Sequence, residues 1–286
     1  MSRPAKTTYK TINWYSYNQA LKQRGSLIVW FDPSMQWGAV LSGRRGRQTT
    51  GFVASLLKLF GLDWSVPNFS TLSRCEKTLD VVVPYRGSKG PLHLLVDSTG
   101  IKVGGEGEWH TRKHGGSRRR VWCKIHLGID EETLEIRAIE VTSSNVGDAP
   151  MLPDLLARIT VEEEIATVTA DGAYDTRACH DAVAACDAAA IIPPRRNARP
   201  WKPDTAGARA RNEILRASKH LGRALWWNSS GYHRRSRVET KMNCVKLLGQ
   251  RLMSRDLDRQ VAEVQIRAAV LNRFTALGIP MTVAAG

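Results

Sequence analysis

The sequence predicts an α/β fold, in which a mixed five-stranded sheet carries helices on both faces and follows a small helical region. From residue 92 onward, short apolar or alternating segments typical of strands are interspersed with segments of helical periodicity. Before residue 80, the apolar residues follow helical spacing instead. Strands and helices that alternate in this way favour one sheet covered by helices on both sides.

The N-terminal stretch is basic and predicts two adjacent helices. Residues 1–60 carry nine Lys or Arg and one acid, Asp32. Helical spacing predicts a first helix over 49–60, and Ser70 is a candidate cap for a second helix that ends near residue 79. On the second helix, Arg74 and Lys77 would face outward and contact DNA if the pair forms a helix-turn-helix. Two packed helices without any DNA contact fit the same pattern.

A turn-rich stretch at 84–90 predicts a boundary between an N-terminal region, residues 1–85, and a second domain, residues 86–286. In the second domain, strands are predicted at 92–96, 121–129, 135–142, 165–170 and 188–192. Helices are predicted at 148–158, 176–186, 232–251 and 257–277. This order matches a ribonuclease H-like layout, where an antiparallel hairpin pair is extended by parallel strands.

The net positive charge of the chain indicates which kind of molecule it binds. It has 42 Lys and Arg against 27 Asp and Glu, a formal net charge of +15, and a pI near 10.0. A polyanion is therefore expected, with ribosomal RNA or an anionic membrane surface as alternatives to DNA. The chain has no apolar run long enough to span a membrane and no signal-peptide pattern at its start. A cytosolic location is expected, on the nucleoid if the partner is DNA. The five scattered cysteines lack zinc-ligand spacing.

Two aspartates each follow an apolar strand segment, Asp97 after residues 92–96 and Asp171 after residues 165–170. Ligands of open sheets bind at strand ends, and carboxylates from adjacent strands can share a Mg²⁺ ion. Two such ions about 4 Å apart would clamp the attacking and leaving oxygens of a phosphoryl transfer. Alternatively, each aspartate caps the turn that follows it.

A predicted helix near residue 240 carries the third acid. On a continuous helix, Tyr232, Arg235, Glu239 and Lys246 fall within an arc of about 60°. A carboxylate, two cations and an aromatic ring would then share one face, beside a core-facing stripe of Val238, Met242 and Val245. The alternative is a surface helix with an ordinary Arg235–Glu239 pair.

The spacing Y-x2-R-x3-E-x6-K of these four residues resembles the Y-R-E-K motif of bacterial insertion-sequence transposases of the IS-four superfamily. The segments 93–100, 122–130, 169–175 and 231–241 are similar to the insertion-sequence-five family, and the resemblance covers most of residues 60–280. It implies that Asp97, Asp171 and Glu239 form a catalytic triad that binds two Mg²⁺ or Mn²⁺ ions. It also implies that Arg235 and Lys246 hold DNA phosphates and that Tyr232 stacks at the transposon end. Residues 86–286 would then be the catalytic domain and residues 1–85 a DNA-binding region.

The activity implied by the resemblance is DNA cleavage that frees a 3′-hydroxyl, followed by attack of that hydroxyl on target DNA. The partners are then double-stranded DNA, as transposon ends and as target, and a second copy of the chain, because two ends must be brought together. A nuclease of the same fold that cuts without joining remains an alternative. So does a catalytically silent DNA-binding remnant or repressor. An RNA-binding protein of purely basic character would leave the three acids unexplained.

Two basic segments are further candidates for DNA contacts. Arg118, Arg119 and Arg120 lie in a glycine-rich loop after Asp97, where a cluster of cations would bind the phosphate backbone unless it is only a solvated charge run. Residues 194–237 hold twelve Lys or Arg, interleaved with Trp201, Trp226 and Trp227. These tryptophans are expected either to stack on unpaired bases or to belong to the core. The N-terminal region is short for the family, which raises the question of whether this copy is active.

Overall fold

The computed structural model describes residues 8–25, 48–67, 69–103, 122–254 and 256–285. The chain divides into two compact units, one made of Met1–Val81 with Pro280–Gly286 and one made of Val82–Ile279. The division falls close to the turn-rich stretch at 84–90, but the last seven residues group with the start of the chain. The functional roles assigned to residues 1–85 and 86–286 remain predictions.

The regular elements described are eight strands and nine α-helices, numbered here in chain order. The strands are β1 Thr8–Thr11, β2 Leu92–Val103, β3 Trp122–Asp130, β4 Ile136–Ser143, β5 Ile165–Thr169, β6 Ala189–Ile191, β7 Arg251–Leu252 and β8 Thr282–Ala285. The helices are α1 Trp14–Arg24, α2 Gln48–Leu59, α3 Phe69–Thr78, α4 Leu152–Ala157, α5 Arg177–Ala185, α6 Ala206–Leu221, α7 Arg223–Ser229, α8 Ser236–Leu247 and α9 Leu257–Leu277. In the part of the chain that these elements cover, no helix is long and apolar enough to cross a membrane.

The first unit contains α1 to α3 and a two-stranded sheet in which β1 pairs antiparallel with β8. The two helices predicted near residues 49–60 and 70–79 are present as α2 and α3. Ser70 is not the cap, because α3 already begins at Phe69. Arg74 and Lys77 are exposed on α3, and the Nε of Arg74 donates to the carbonyl of Ser70 at 3.2 Å. Whether α2 and α3 act as a helix-turn-helix remains a prediction.

The second unit is built on a mixed sheet of strand order β4-β3-β2-β5-β6, with β7 beside the far end of β2. β2, β3 and β4 are antiparallel neighbours, whereas β5, β6 and β7 join in parallel. The arrangement is consistent with the predicted ribonuclease H-like layout. The predicted strand count of five was wrong, since β7 is a sixth strand. Its two residues, paired with Lys102 and Val103, are too few to show any periodicity.

β2 is much longer than predicted. The sequence placed Asp97 after the end of the strand, but β2 runs for 12 residues and Asp97 lies in its interior, opposite Leu127 of β3. The pairing with β3 continues to Lys102, because Thr99, Ile101 and Val103 retain the alternation and β-branched side chains that suit a strand. β2 is therefore paired with β3 both before and after Asp97 in the sequence.

Helices cover both faces of this sheet. On one face, Leu95, Ile101 and Ile125 belong to a buried cluster with the predicted stripe of α8 (Val238, Met242 and Val245) and with residues of α9. On the other face, Leu94 and Val96 belong to a second cluster with residues of α4 and α5. Since side chains alternate along a strand, Asp97 and Thr99 lie on the same face of β2 as Leu95 and Ile101, which is the α8 face.

The helix predicted over 232–251 is not continuous. Tyr232–Arg235 forms a 3-10 turn, and α8 occupies Ser236–Leu247. The preceding Gly231 has φ of +74°, a left-handed conformation that costs glycine little and starts the turn abruptly. The common arc calculated for an uninterrupted helix therefore does not apply to Tyr232. Similarly, the predicted helix over 148–158 is a 3-10 turn, Ala149–Met151, followed by α4.

Candidate active site

Asp97 and Asp171 come from neighbouring parallel strands. β2 and β5 are in register at Leu95 and Thr169, and each aspartate follows two residues later. Neighbouring strands lie about 4.8 Å apart, so the two aspartates occupy adjacent positions where β5 ends beside β2. Burial raises the pKa of Asp97, and the charge of Asp171 raises it further. Hydrogen bonds from the Ser98 N–H and from Arg235 lower the pKa, but the net shift is upward.

Asp171 is fixed by the turn that it starts. Its Oδ1 accepts a hydrogen bond from the N–H of Ala173 at 2.9 Å, which makes Asp171 the cap of the 3-10 turn Gly172–Tyr174. The capping interpretation raised from the sequence is therefore correct for Asp171. It does not compete with a catalytic role, because the cap uses one oxygen and orients the carboxylate.

Glu239 is connected to Asp97 through a single guanidinium group. Nη1 of Arg235 lies 2.5 Å from Oδ2 of Asp97, and Nη2 lies 2.6 Å from Oε1 of Glu239. The side chain of Arg235 is 18% exposed, whereas that of Glu239 is 55% exposed. The Arg235–Glu239 pair considered from the sequence is thus present, and the same arginine also reaches from the start of α8 to β2.

The three acids have the right chemistry to bind a divalent metal, but their side chains are not close enough together to share one ion. Asp97, Asp171 and Glu239 offer only hard oxygen donors, which are the ligands that Mg²⁺ and Mn²⁺ prefer. Among the described residues, no three His, Cys, Asp or Glu side chains converge closely enough to hold an ion. Arg235 contacts Asp97 through one terminal nitrogen and Glu239 through the other.

Lys246 and Tyr232 lie near the same face of β2. Nζ of Lys246 donates to Oγ1 of Thr99 at 2.6 Å, and Thr99 is two residues beyond Asp97 on the α8 face. The ring of Tyr232 lies 5.4 Å from that of Trp227 and 6.2 Å from that of Trp226, between centroids. The guanidinium carbon of Arg235 is 6.0 Å from the Tyr232 ring. Arg235 therefore contacts Asp97 directly, whereas Lys246 reaches Thr99 on the same face of β2 and Tyr232 lies beside Arg235.

Other predicted DNA contacts are not part of this group. Arg118, Arg119 and Arg120 lie outside the described residues. Arg74 and Lys77 belong to the first unit. Trp201 is half-buried, and the guanidinium carbons of Arg211 and Arg177 lie 4.3 and 5.6 Å from its ring. Trp226 is buried, whereas Trp227 is 37% exposed.

Sequence reasoning missed two polar clusters beside the site. Behind Asp97, Asp148 accepts hydrogen bonds from Ser98 at 2.5 Å and from Lys124 at 2.9 Å. Asp175, four residues after Asp171, pairs with Arg211, and Thr176 caps α5. The partners lie 24 to 50 residues apart in the chain, so no local sequence pattern could have paired them.

Comparison with known families gives two matches, both to families described as Transposase DDE domain. One covers residues 88–273 and the other residues 40–106. The fold and the site define an α/β protein with an acidic site in the middle of a mixed sheet, where β5 ends beside β2. Because the first match spans well over half of the chain, the chain belongs to the DDE-domain transposase family. The predicted resemblance to a DDE-type insertion-sequence transposase is confirmed, and the insertion-sequence-five family fits these matches. No solved structure matches the chain.

Proposed function

We propose that this protein is a transposase that cleaves DNA at the ends of a bacterial insertion sequence and joins the freed 3′-hydroxyl to target DNA. The observation that carries the proposal is the placement of two carboxylates on adjacent strands, facing the helix that bears the third. Asp97 and Asp171 lie side by side on β2 and after β5, and Glu239 is joined to Asp97 through Arg235. Membership in the DDE-domain family supports the same reaction.

Asp97, Asp171 and Glu239 would hold the divalent ions, Mg²⁺ or Mn²⁺, of which the reaction uses two. Bound there, such ions supply an activated oxygen nucleophile and neutralise charge on the phosphate. The contribution of the chain is to position groups on a rigid sheet, as phosphoryl transfer requires. Arg235 and Lys246 would hold phosphate oxygens near the scissile bond, and Tyr232 would stack against a base or sugar at the DNA end.

The partner would be double-stranded DNA, as element end and as target. A formal charge of +15 supports this partner, because neutralisation of phosphates dominates affinity for DNA. The arginines at 118–120 and, on α3, Arg74 and Lys77 are further proposed contacts with the DNA backbone. A homodimer on DNA would bring two ends together, and the protein would act in the cytosol on nucleoid DNA.

The test uses purified protein, Mg²⁺ and labelled duplexes that carry the ends of the flanking element. Wild type is compared with Glu239→Gln and with the control Glu213→Gln, which changes an exposed glutamate on α6. The proposal predicts joined products from wild type and from the control, and none from Glu239→Gln.

The other products identify the alternatives. Cleavage without joining, even from a pre-cut end, would favour a nuclease of the same fold. Metal-independent DNA binding without any cleavage would favour a silent remnant or a repressor. Equal joining by wild type and Glu239→Gln would contradict the assigned role of Glu239.

A further inference from the structure

A buried ion pair lies directly behind the turn that carries Asp171. Nε and Nη2 of Arg211 donate to Oδ1 and Oδ2 of Asp175, each at 3.0 Å. Both side chains are only 2% exposed. Buried charges are costly unless their hydrogen-bonding groups are satisfied, so an arginine placed here must have its partners fixed.

The rest of the Arg211 guanidinium is also satisfied. Its Nη1 donates to the carbonyl of Arg199 at 2.7 Å, and its carbon lies 4.3 Å from the centre of the Trp201 ring. Trp201 is held in turn by Asn212, which exchanges two hydrogen bonds with its backbone at 2.8 and 2.7 Å. The guanidinium is thus held by a carboxylate, a carbonyl and an aromatic face, and it can scarcely move.

Asp175 ends the 3-10 turn that Asp171 begins. Besides Arg211, it accepts the N–H of Arg195 at 3.0 Å. The side chain of Arg195 donates to the carbonyls of Gly172 at 3.3 Å and of Ala173 at 3.2 Å. The turn is therefore held at its far end by Arg211 and along its length by Arg195, while Asp171 caps its start by accepting the N–H of Ala173.

We propose that Arg211 is a positioning residue for Asp171. Through Asp175 it fixes the turn, and through the turn it sets the direction of the Asp171 carboxylate toward Asp97. This inference rests on the proposed function of Asp171 as a metal ligand. Arg211 is buried against Asp175, and its effect is transmitted by the Asp171–Asp175 turn. Residues that orient a metal ligand typically change metal affinity or activity by about 10- to 100-fold when they are replaced.

The test must separate positioning from folding. Arg211→Met alone would leave Asp175 buried without its main partner, so the main variant is the double change Asp175→Asn with Arg211→Met, which removes both charges. Arg211→Lys is the second variant, since lysine keeps the charge but cannot form the paired contacts. The matched control is Arg177→Met. Arg177 also lies over Trp201 and pairs with Asp204, but it makes no contact with the turn that is described here.

Three quantities are measured for each variant. Mn²⁺ binding is followed by electron paramagnetic resonance of the free ion, affinity for element-end DNA by fluorescence anisotropy, and cleavage by single-turnover rates across Mg²⁺ concentrations. Circular dichroism establishes that each variant is folded. For the double variant and for Arg211→Lys, we expect weaker Mn²⁺ binding by about tenfold, slower cleavage partly restored by more Mg²⁺, and DNA affinity within about twofold of wild type.

A folded double variant or Arg211→Lys with the Mn²⁺ affinity and cleavage rate of Arg177→Met would overturn the proposal. If the double variant does not fold, Arg211→Lys decides by the same comparison, and loss of folding in both would also overturn it, because Arg211 would then be structural. Wild-type protein that binds no Mn²⁺ would instead contradict the metal site of the proposed function, a result distinct from failure of the Arg211 proposal alone.

Discussion

Arg235 donates a hydrogen bond from Nη1 to Oδ2 of Asp97 at 2.5 Å, across 138 residues of sequence. Its other terminal nitrogen reaches Glu239 in the next turn of the same helical segment. One cation thereby offsets the repulsion between two carboxylates that are proposed to share metal ions. A group in that position also competes with any divalent cation for the same oxygens.

Replacement of Arg235 by glutamine is therefore expected to strengthen metal binding while it weakens catalysis. Loss of the competing charge should lower the apparent dissociation constant for Mn²⁺ by about three- to tenfold, where tenfold corresponds to about 1.4 kcal/mol. Loss of a proposed phosphate contact should slow cleavage in the same variant. Titration calorimetry measures the first effect, and Arg234→Gln is the control, because Arg234 pairs with Glu131 instead. Unchanged or weaker Mn²⁺ binding by Arg235→Gln would show that the arginine does not compete with the ion.

Lys246→Gln tests the proposed contact with a DNA phosphate. Each neutralised phosphate contributes roughly 0.9 to the slope of log affinity against log salt, so the slope should become shallower by about one. Thr99→Val is the control, because it removes the hydrogen-bond partner of Lys246 but leaves the cation in place. Anisotropy titrations at several salt concentrations give both slopes. A slope that stays at the wild-type value would place Lys246 away from the DNA.

The ring of Tyr232 is expected to matter more than its hydroxyl group. Stacking on a base contributes about 1–3 kcal/mol, so Tyr232→Ala should weaken binding to element ends by about tenfold or more, whereas Tyr232→Phe should bind almost normally. Thermal unfolding of both variants controls for lost packing against Trp226 and Trp227. Equal losses in the two variants would assign the effect to the hydroxyl group.

Asp175 should make stability fall as the solution is acidified. Burial alone would raise its pKa, but contacts with His180, Arg211 and the Arg195 N–H outweigh that effect and hold the pKa well below its ordinary value. A carboxyl group of this kind contributes stability above its unfolded pKa of about 3.9, and the contribution is lost as the pH falls toward the folded pKa. Urea unfolding from pH 7 down to about pH 2 should therefore show a steeper loss for wild type than for Asp175→Asn.

The same substitution should cost about 3 kcal/mol at pH 7, because it breaks a buried ion pair. Asp204→Asn is the control, since its partner Arg177 forms an exposed pair and such pairs contribute little. Parallel pH profiles for wild type and Asp175→Asn would contradict the assigned linkage.

The sequence predicted best those elements whose pattern is long and regular. Leu257–Leu277 was predicted to the residue, and β3 to β6 lie within one or two residues of their predicted bounds. β2 was cut short because Asp-Ser-Thr-Gly after Val96 is typical of a turn, whereas pairing with β3 carries the strand through it. The 3-10 turn at Tyr232 was missed because helical periodicity does not register a change of hydrogen-bonding pattern.

The sequence indicated which residues could belong to the candidate site, but it did not indicate which of their side chains contact one another. Strand position and motif spacing indicate Asp97, Asp171 and Glu239, whose catalytic role stays a prediction. The contact of Arg235 with Asp97 joins residues 138 apart, and that of Arg211 with Asp175 joins residues 36 apart. Such contacts depend on which helix packs against which strand, and local propensity carries no information about that.

The pairing of β1 with β8 sets an order of events during synthesis. Thr8 is opposite Ala285 and Thr11 is opposite Thr282. β1 therefore cannot pair until residues more than 270 positions further along the chain have been synthesised. While the nascent chain is still on the ribosome, β1 has no partner, and an unpaired strand edge can pair with other chains. Removal of residues 282–285 would recreate that state in the finished protein, because these residues are the partners of β1.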